Sequence, residues 1–238
     1  MAKNQQIELN ISLPRSIADQ VYERIKGQIL DGSLDPGQHL HELVVAKAAG
    51  TSRTPVREAF RRLEQDLLVE RVPKGGVRVI KLDLNTIKDL YELRTVLEVH
   101  AVDLACQRIT SEQIVYLKRI RAQALELLNS SHISQDYLLK HFMELNTDFH
   151  EMIYHATKSK FLIRIINRLR GIIRAVRSVS LQANQAPVRS WEEHSRLICC
   201  LEKRDTVAAQ KLIYEHIRNA TREALSVVDN ARQPHNSI

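Results

Sequence analysis

The chain has 238 residues, 44% of them apolar, which is enough for one large domain or two ordinary ones with packed cores. Only 7 glycines and 6 prolines, with 5% aromatic residues, exclude a glycine-punctuated α/β enzyme or a strand-rich sandwich and leave a mostly α fold. A net charge of +7 allows a polyanionic partner, and no apolar run reaches the roughly 18 residues that a membrane span requires.

Residues 1–13 are polar, carry no signal-peptide core and read as a flexible arm. Ile17, Val21, Ile25, Ile29 and Leu30 then stripe a first helix, ending near Asp31-Gly32, and Asp35-Pro36-Gly37 turns the chain. A short second helix covers about His41–Ala49 and closes at Gly50. Thr54 is expected as the N-cap of a third helix, with Pro55 in its first position, running to about Asp66. Leu68–Val72 and Val77–Ile80 read as strands, and Pro73-Lys74-Gly75-Gly76 as the hairpin tip between them. Three helices followed by a hairpin is the order of a winged helix-turn-helix, placed at residues 14–81.

From residue 82 to 230 the pattern is helical throughout, with expected spans 84–106, 110–129, 133–156, 159–181, 188–203 and 205–229. Asp83, Thr110, Ser134, Ser159 and Asp205 stand where N-caps are wanted. Six such helices make a bundle with antiparallel neighbours. Residues 231–238 read as a flexible tail. Cys106, Cys199 and Cys200 are too few and too poorly spaced for a disulfide framework and fit small core residues in a reducing, cytoplasmic setting.

Two patterns carry chemistry. Residues 53–81 hold eight basic groups and four acidic ones. On the third helix Val56, Phe60, Leu63 and Leu67 share one arc, while Arg53, Arg57 and Arg61 share another beside it. One face packs inward; the other offers guanidinium groups suited to guanine edges or phosphates. In the helical region His150, His194 and His216 lie within apolar stripes of three different helices, and Asn146 sits one turn before His150. Each histidine alone reads as a satisfied core residue. Together with one oxygen donor they also make a set suited to Zn²⁺, Ni²⁺ or another first-row dication. His100 falls on an arc with Leu93, Leu97 and Leu104, expected to face inward, and Arg94 flanks it, to meet either a carboxylate ligand or Glu98. The helix over 159–181 carries Arg164, Arg168, Arg170, Arg174 and Arg177 without an acid; it reads mainly as a solvated face, with Arg174 the candidate for an anion.

The run Thr51-Ser52-Arg53-Thr54-Pro55-Val56-Arg57-Glu58-Ala59-Phe60-Arg61-Arg62-Leu63, preceded by Pro36-Gly37 and Leu40-His41-Glu42, resembles the signature of the GntR superfamily of bacterial transcription regulators. The resemblance implies that Arg53 and Arg57 contact operator DNA and that the wing tip with Lys74, Gly75 and Gly76 enters the minor groove. Some members place a DNA-contacting arginine just after the position of Glu42; Leu43 stands there here, so that contact is lost. Leu93-Arg94-Thr95-Val96-Leu97-Glu98, Asn146 through His150, Trp191 through His194, Arg204-Asp205 and His216 resemble the FCD effector domain of the same superfamily. That implies a divalent metal held by an Asp and three His, helping to bind a small carboxylate effector. Six helices place the chain nearer the VanR-type than the FadR-type branch. Asn146 departs from the aspartate of that pattern, and Asp148, two residues from His150, points off the face.

The resulting expectation is a ligand-responsive regulator that binds a palindromic double-stranded operator as a homodimer through Arg53, Thr54, Arg57, Arg61 and the wing. Its effector region would use Asn146, His150, His194 and His216 for the metal and Arg94, His100 and Arg174 for a small organic acid. The alternative is a metal-dependent enzyme with an accessory nucleic-acid-binding domain. Against it, the sequence shows no Glu or Asp positioned as a general base beside the histidines.

Overall fold

The computed structural model describes residues 15–30, 32–73, 75–130, 134–181 and 186–232. The arm over 1–13, Lys74 of the wing tip, and 233–238 of the tail lie outside the described residues. The fold is mostly α, in two compact units that divide between Val79 and Ile80.

The first unit holds α1 (Ile17–Leu30), β1 (His39–Leu40), α2 (Glu42–Ala48), α3 (Arg53–Gln65), β2 (Val69–Arg71) and β3 (Val77–Val79). The strands form an antiparallel sheet in the order β1-β3-β2, with Leu40 opposite Val77 and Val69 opposite Val79. Its core joins Val21, Tyr22 and Ile25 of α1 to Val56, Ala59, Phe60 and Leu63 of α3 and to the inward strand residues. Tyr22 donates to Asp66 while Lys26 reaches the same carboxylate at 3.2 Å, tying α1 to the end of α3. The two-residue β1 was not expected from the sequence; it is too short to show an alternating pattern.

Two local expectations are corrected. Helix α3 begins at Arg53, with Ser52 as N-cap, so Thr54 lies inside the first turn and is exposed. Leu67 does not extend the buried stripe; it follows the C-cap Asp66 at φ 55° and is 42% exposed.

At the wing, Gly75 and Gly76 have φ of 93° and 92°. A Cβ on Gly76 would stand 2.3 Å from the Leu40 carbonyl oxygen, whereas one on Gly75 would meet open space. Gly76→Ala is therefore expected to cost about 1–3 kcal/mol through combined strain and clash, and Gly75→Ala distinctly less. Urea melts of the two variants check this; equal losses would show that the close approach to β1 carries no weight.

The second unit contains α4 (Leu84–Arg108), α5 (Ser111–Asn129), α6 (Gln135–Ala156), α7 (Lys160–Ser180), α8 (Ala186–Lys203) and α9 (Thr206–Arg232). Its helix starts follow the expected caps. Asp83, Thr110 and Ser134 accept from the backbone three residues on, as do Ser159 from Leu162 and Asp205 from Ala208. Helices α4 and α9 pack along each other, and the core is built from residues such as Ile87, Leu117, Phe142, Phe149, Trp191, Leu201 and Ile213. Arg204, at φ 55°, donates to the carbonyls of Cys106 and Ile109 and so satisfies the C-terminal end of α4.

Candidate functional site

Periodicity places one polar cluster inside the helical unit. Helix α6 supplies Asn146 and His150, α8 supplies His194 and α9 supplies His216, all buried. One ligand atom from each histidine lies within 4.8 Å of the others. Phe149 stacks on His194 at 4.0 Å between ring centroids, and Trp191 meets it edge-on at 4.8 Å, which fixes the imidazole.

Hydrogen bonding sets the donor set. His150 Nδ1 lies 2.7 Å from Glu98 Oε2, and His216 Nδ1 lies 2.7 Å from Glu193 Oε2. A carboxylate only accepts, so both Nδ1 atoms carry a proton, and in each ring Nε2 is the atom left to serve as a ligand. The Asn146 amide donates to Ser190 Oγ at 3.4 Å, which leaves its Oδ1 free. Asn146 Oδ1, His150 Nε2 and both His194 ring nitrogens are buried without a partner among the described residues. Leaving such atoms unsatisfied costs about 1–3 kcal/mol each, so the acceptors among them, Asn146 Oδ1, His150 Nε2 and one His194 nitrogen, offer a place for a group that accepts lone pairs. Burial, with Arg177 nearby, pushes His150 well below the ordinary imidazole range, and burial pushes His194 down in the same direction. Both are neutral ligands near neutral pH.

These residues fit a divalent metal. Metal–nitrogen bonds of about 2.0–2.1 Å in a tetrahedral arrangement would set ligand nitrogens about 3.3–3.4 Å apart, so the imidazoles would draw in by up to about 1.5 Å around an ion. The carboxylates on the far side of His150 and His216 are the orienting partners that such ligands require. Asp148 is exposed and takes no part.

Beside the histidines lies a buried charge network. Arg94 Nε donates to Glu98 Oε1 at 2.6 Å, and Arg177 reaches the same oxygen at 3.5 Å. Burial alone would raise the Glu98 carboxyl; Arg94, His150 and Arg177 instead hold it well below the usual carboxylate range. Arg94 Nη1 and Arg177 Nε remain buried and unpartnered among the described residues. A cavity of about 20 Å³, lined by Arg94, Asn146, Arg177, Arg189, Ser190 and His216 among others, joins the two clusters.

Several expectations change here. His100 is exposed and Leu93 is 46% exposed, because α4 turns the arc of Arg94, Glu98, Ala101, Val102 and Ala105 inward instead. Arg174 is also exposed, and it is Arg177 that enters the cluster. Carboxylates do stand beside the histidines, Glu98 and Glu193, but each is engaged by an imidazole N–H. Glu193 adjoins His194 in sequence, a signal that went unread.

The basic helix of the first unit is as the arcs predict. Val56, Phe60 and Leu63 are buried, while Arg53, Arg57 and Arg61 are exposed. Both Arg53 and Arg57 bond Glu42 of α2, at 2.7 and 2.8 Å.

Residues 17–79 match the family of bacterial regulatory proteins, gntR family, and residues 89–219 match the FCD domain. The chain belongs to the GntR family and carries an FCD domain. This GntR chain is 30% identical over 196 residues to the Nta operon transcriptional regulator of Aminobacter aminovorans, covering 82% of this chain and 89% of that one. Its fold matches E. coli McbR/YncC with a TM-score of 0.68 at 21% identity, over 92% of this chain and 99% of that one. It also matches the metal-free FCD domain of TM0439, with a TM-score of 0.53 at 21% identity, over 63% of this chain and 98% of that one. The GntR/FCD chain is thus a transcription regulator and not an enzyme, and the metalloenzyme alternative falls with that membership.

Proposed function

We propose that this regulator binds a palindromic operator as a homodimer in the cytoplasm, and that a small organic acid, held with a divalent metal in the FCD unit, alters its DNA affinity. Among the described residues Arg53, Thr54, Arg57, Arg61, Gly75 and Gly76 form the DNA-facing set, with Lys74 of the tip added from the sequence. Asn146, His150, His194 and His216 hold the metal, and Arg94 with Arg177 meets the acid. A bound dication supplies positive charge and open coordination positions for a carboxylate. The protein's own part is to orient the imidazoles through Glu98 and Glu193 and to present two buried guanidinium groups to the anion.

The observation that carries this reading is the convergence of unpartnered Asn146, His150 and His194 atoms beside unpartnered Arg94 and Arg177 atoms. Neutral ligands leave the metal's charge unbalanced, which favours an anionic effector. The test is a thermal-shift screen of small carboxylic acids against metal-stripped protein, with and without Zn²⁺ or Ni²⁺. At least one acid is expected to raise the melting temperature more with metal than without; no shift from any acid in either state would overturn the effector reading.

For DNA, Arg53→Ala and Arg57→Ala are each expected to weaken specific binding by about 1–3 kcal/mol. Unchanged footprints in both variants would remove the recognition-helix assignment. One winged unit reads too short a site for useful specificity, so the dimer is expected by sedimentation at micromolar concentration.

A further inference from the structure

The contact between α2 and α3 places one carboxylate under two DNA-facing arginines. Glu42 Oε2 accepts Arg53 Nε at 3.2 Å and Arg53 Nη2 at 2.7 Å, and the same oxygen accepts Arg57 Nε at 2.8 Å. The Glu42 side chain is 11% exposed, against 52% and 58% for the two arginines, so it lies beneath them. Ion pairs of such exposed arginines add little to stability. What the contact does change is orientation. Arg57 is held through Nε alone, with both terminal nitrogens left to donate, while Arg53 is held through Nε and one proton of Nη2, which leaves Nη1 and the second Nη2 proton along its terminal edge. That edge has the spacing to donate two parallel bonds to O6 and N7 of guanine.

We infer that Glu42 is a specificity-determining positioning residue, which fixes Arg53 and Arg57 as guanine readers and keeps them from serving as free phosphate-seeking cations. This rests on the reading of α3 as the recognition helix. Glu42 removes freedom from two long side chains before DNA arrives, so less is lost when they bind bases. Its negative charge also offsets part of the positive charge that binds any duplex regardless of sequence. The carboxylate therefore favours discrimination and opposes indiscriminate affinity.

The test uses the full chain and a duplex enriched by the protein from a random-sequence library, with a scrambled duplex of equal length as competitor. Glu42→Gln is expected to lower the ratio of specific to scrambled affinity by about tenfold or more, because guanine contacts loosen. Affinity for the scrambled duplex is expected to rise, and its salt dependence to steepen by roughly one counterion. In wild type, replacing contacted guanines by 7-deazaguanine, which lacks N7, should weaken binding; that sensitivity should shrink in Glu42→Gln. Where Glu42→Gln melts early, Glu42→Asp keeps the charge at the start of α2 with a shorter reach and should lose discrimination in the same direction. A ratio within about twofold of wild type in a folded variant overturns the inference. If Arg53→Ala and Arg57→Ala leave the ratio unchanged as well, the recognition-helix reading fails with it; if they lower it while Glu42→Gln does not, only the role of Glu42 fails.

Discussion

Replacing Glu98 by alanine is expected to destabilise the helical unit by about 3–5 kcal/mol, read as a lower urea midpoint of the metal-free protein. The carboxylate is the shared acceptor for Arg94, Arg177 and His150, all of them buried. Its removal strands two guanidinium charges with little access to water. An intact buried ion network need not be a net gain over apolar packing, whereas half of one is a large loss. The triple change Glu98→Leu, Arg94→Met, Arg177→Met is accordingly expected to recover most of the stability while abolishing any response to an acid ligand. A loss below about 1 kcal/mol in Glu98→Ala would mean that the network is solvated and behaves like a surface pair.

Metal affinity should fall most steeply at His194. Calorimetric titration of stripped protein with Zn²⁺ is expected to show at least about a 100-fold weakening in His194→Ala, beyond the 10–100-fold loss usual for an outer partner such as Glu193→Gln. His194 is the member of the cluster with both ring nitrogens unpartnered among the described residues, so either tautomer offers it a lone pair for the metal. Asn146→Asp is expected to shift the affinity the other way, since a carboxylate oxygen brings charge that the amide lacks. Binding of DNA should survive His194→Ala, because the basic helix belongs to the other unit. Zn²⁺ affinity unchanged in His194→Ala would reduce the histidines to packing residues.

The helix starts were legible because capping is local: Asp83, Thr110 and Ser134 each bond a backbone N–H three residues on. The histidine set was legible because His150, His194 and His216 interrupt otherwise apolar stripes. Helix α4 was misread for the opposite reason. Its inward arc contains Arg94 and Glu98, so hydrophobic periodicity pointed to Leu93 and His100, which are exposed. What turns those charges inward is Arg177, 79 positions from Glu98, and His150, 52 positions away. Pairing over such separations leaves no trace in a local pattern. The same holds for Arg177 against Arg174: the arginines of α7 differ only in what faces them. The hold of Glu42 on Arg53 and Arg57 was invisible likewise, since it depends on the angle between two helices.

The cavity beside the histidines has room for about one water molecule. A ligand of several carbon atoms cannot enter it as it stands, so each binding event includes the work of parting the walls around Arg177, Arg189 and His216. The measured affinity of such a ligand is its intrinsic affinity multiplied by the fraction of molecules already parted. With this cavity as the acid site proposed above, sensitivity to the acid would be tuned by the stiffness of the bundle as much as by the contacts made, and a substitution that loosens α8 without touching the ligand would make the protein respond at lower concentration.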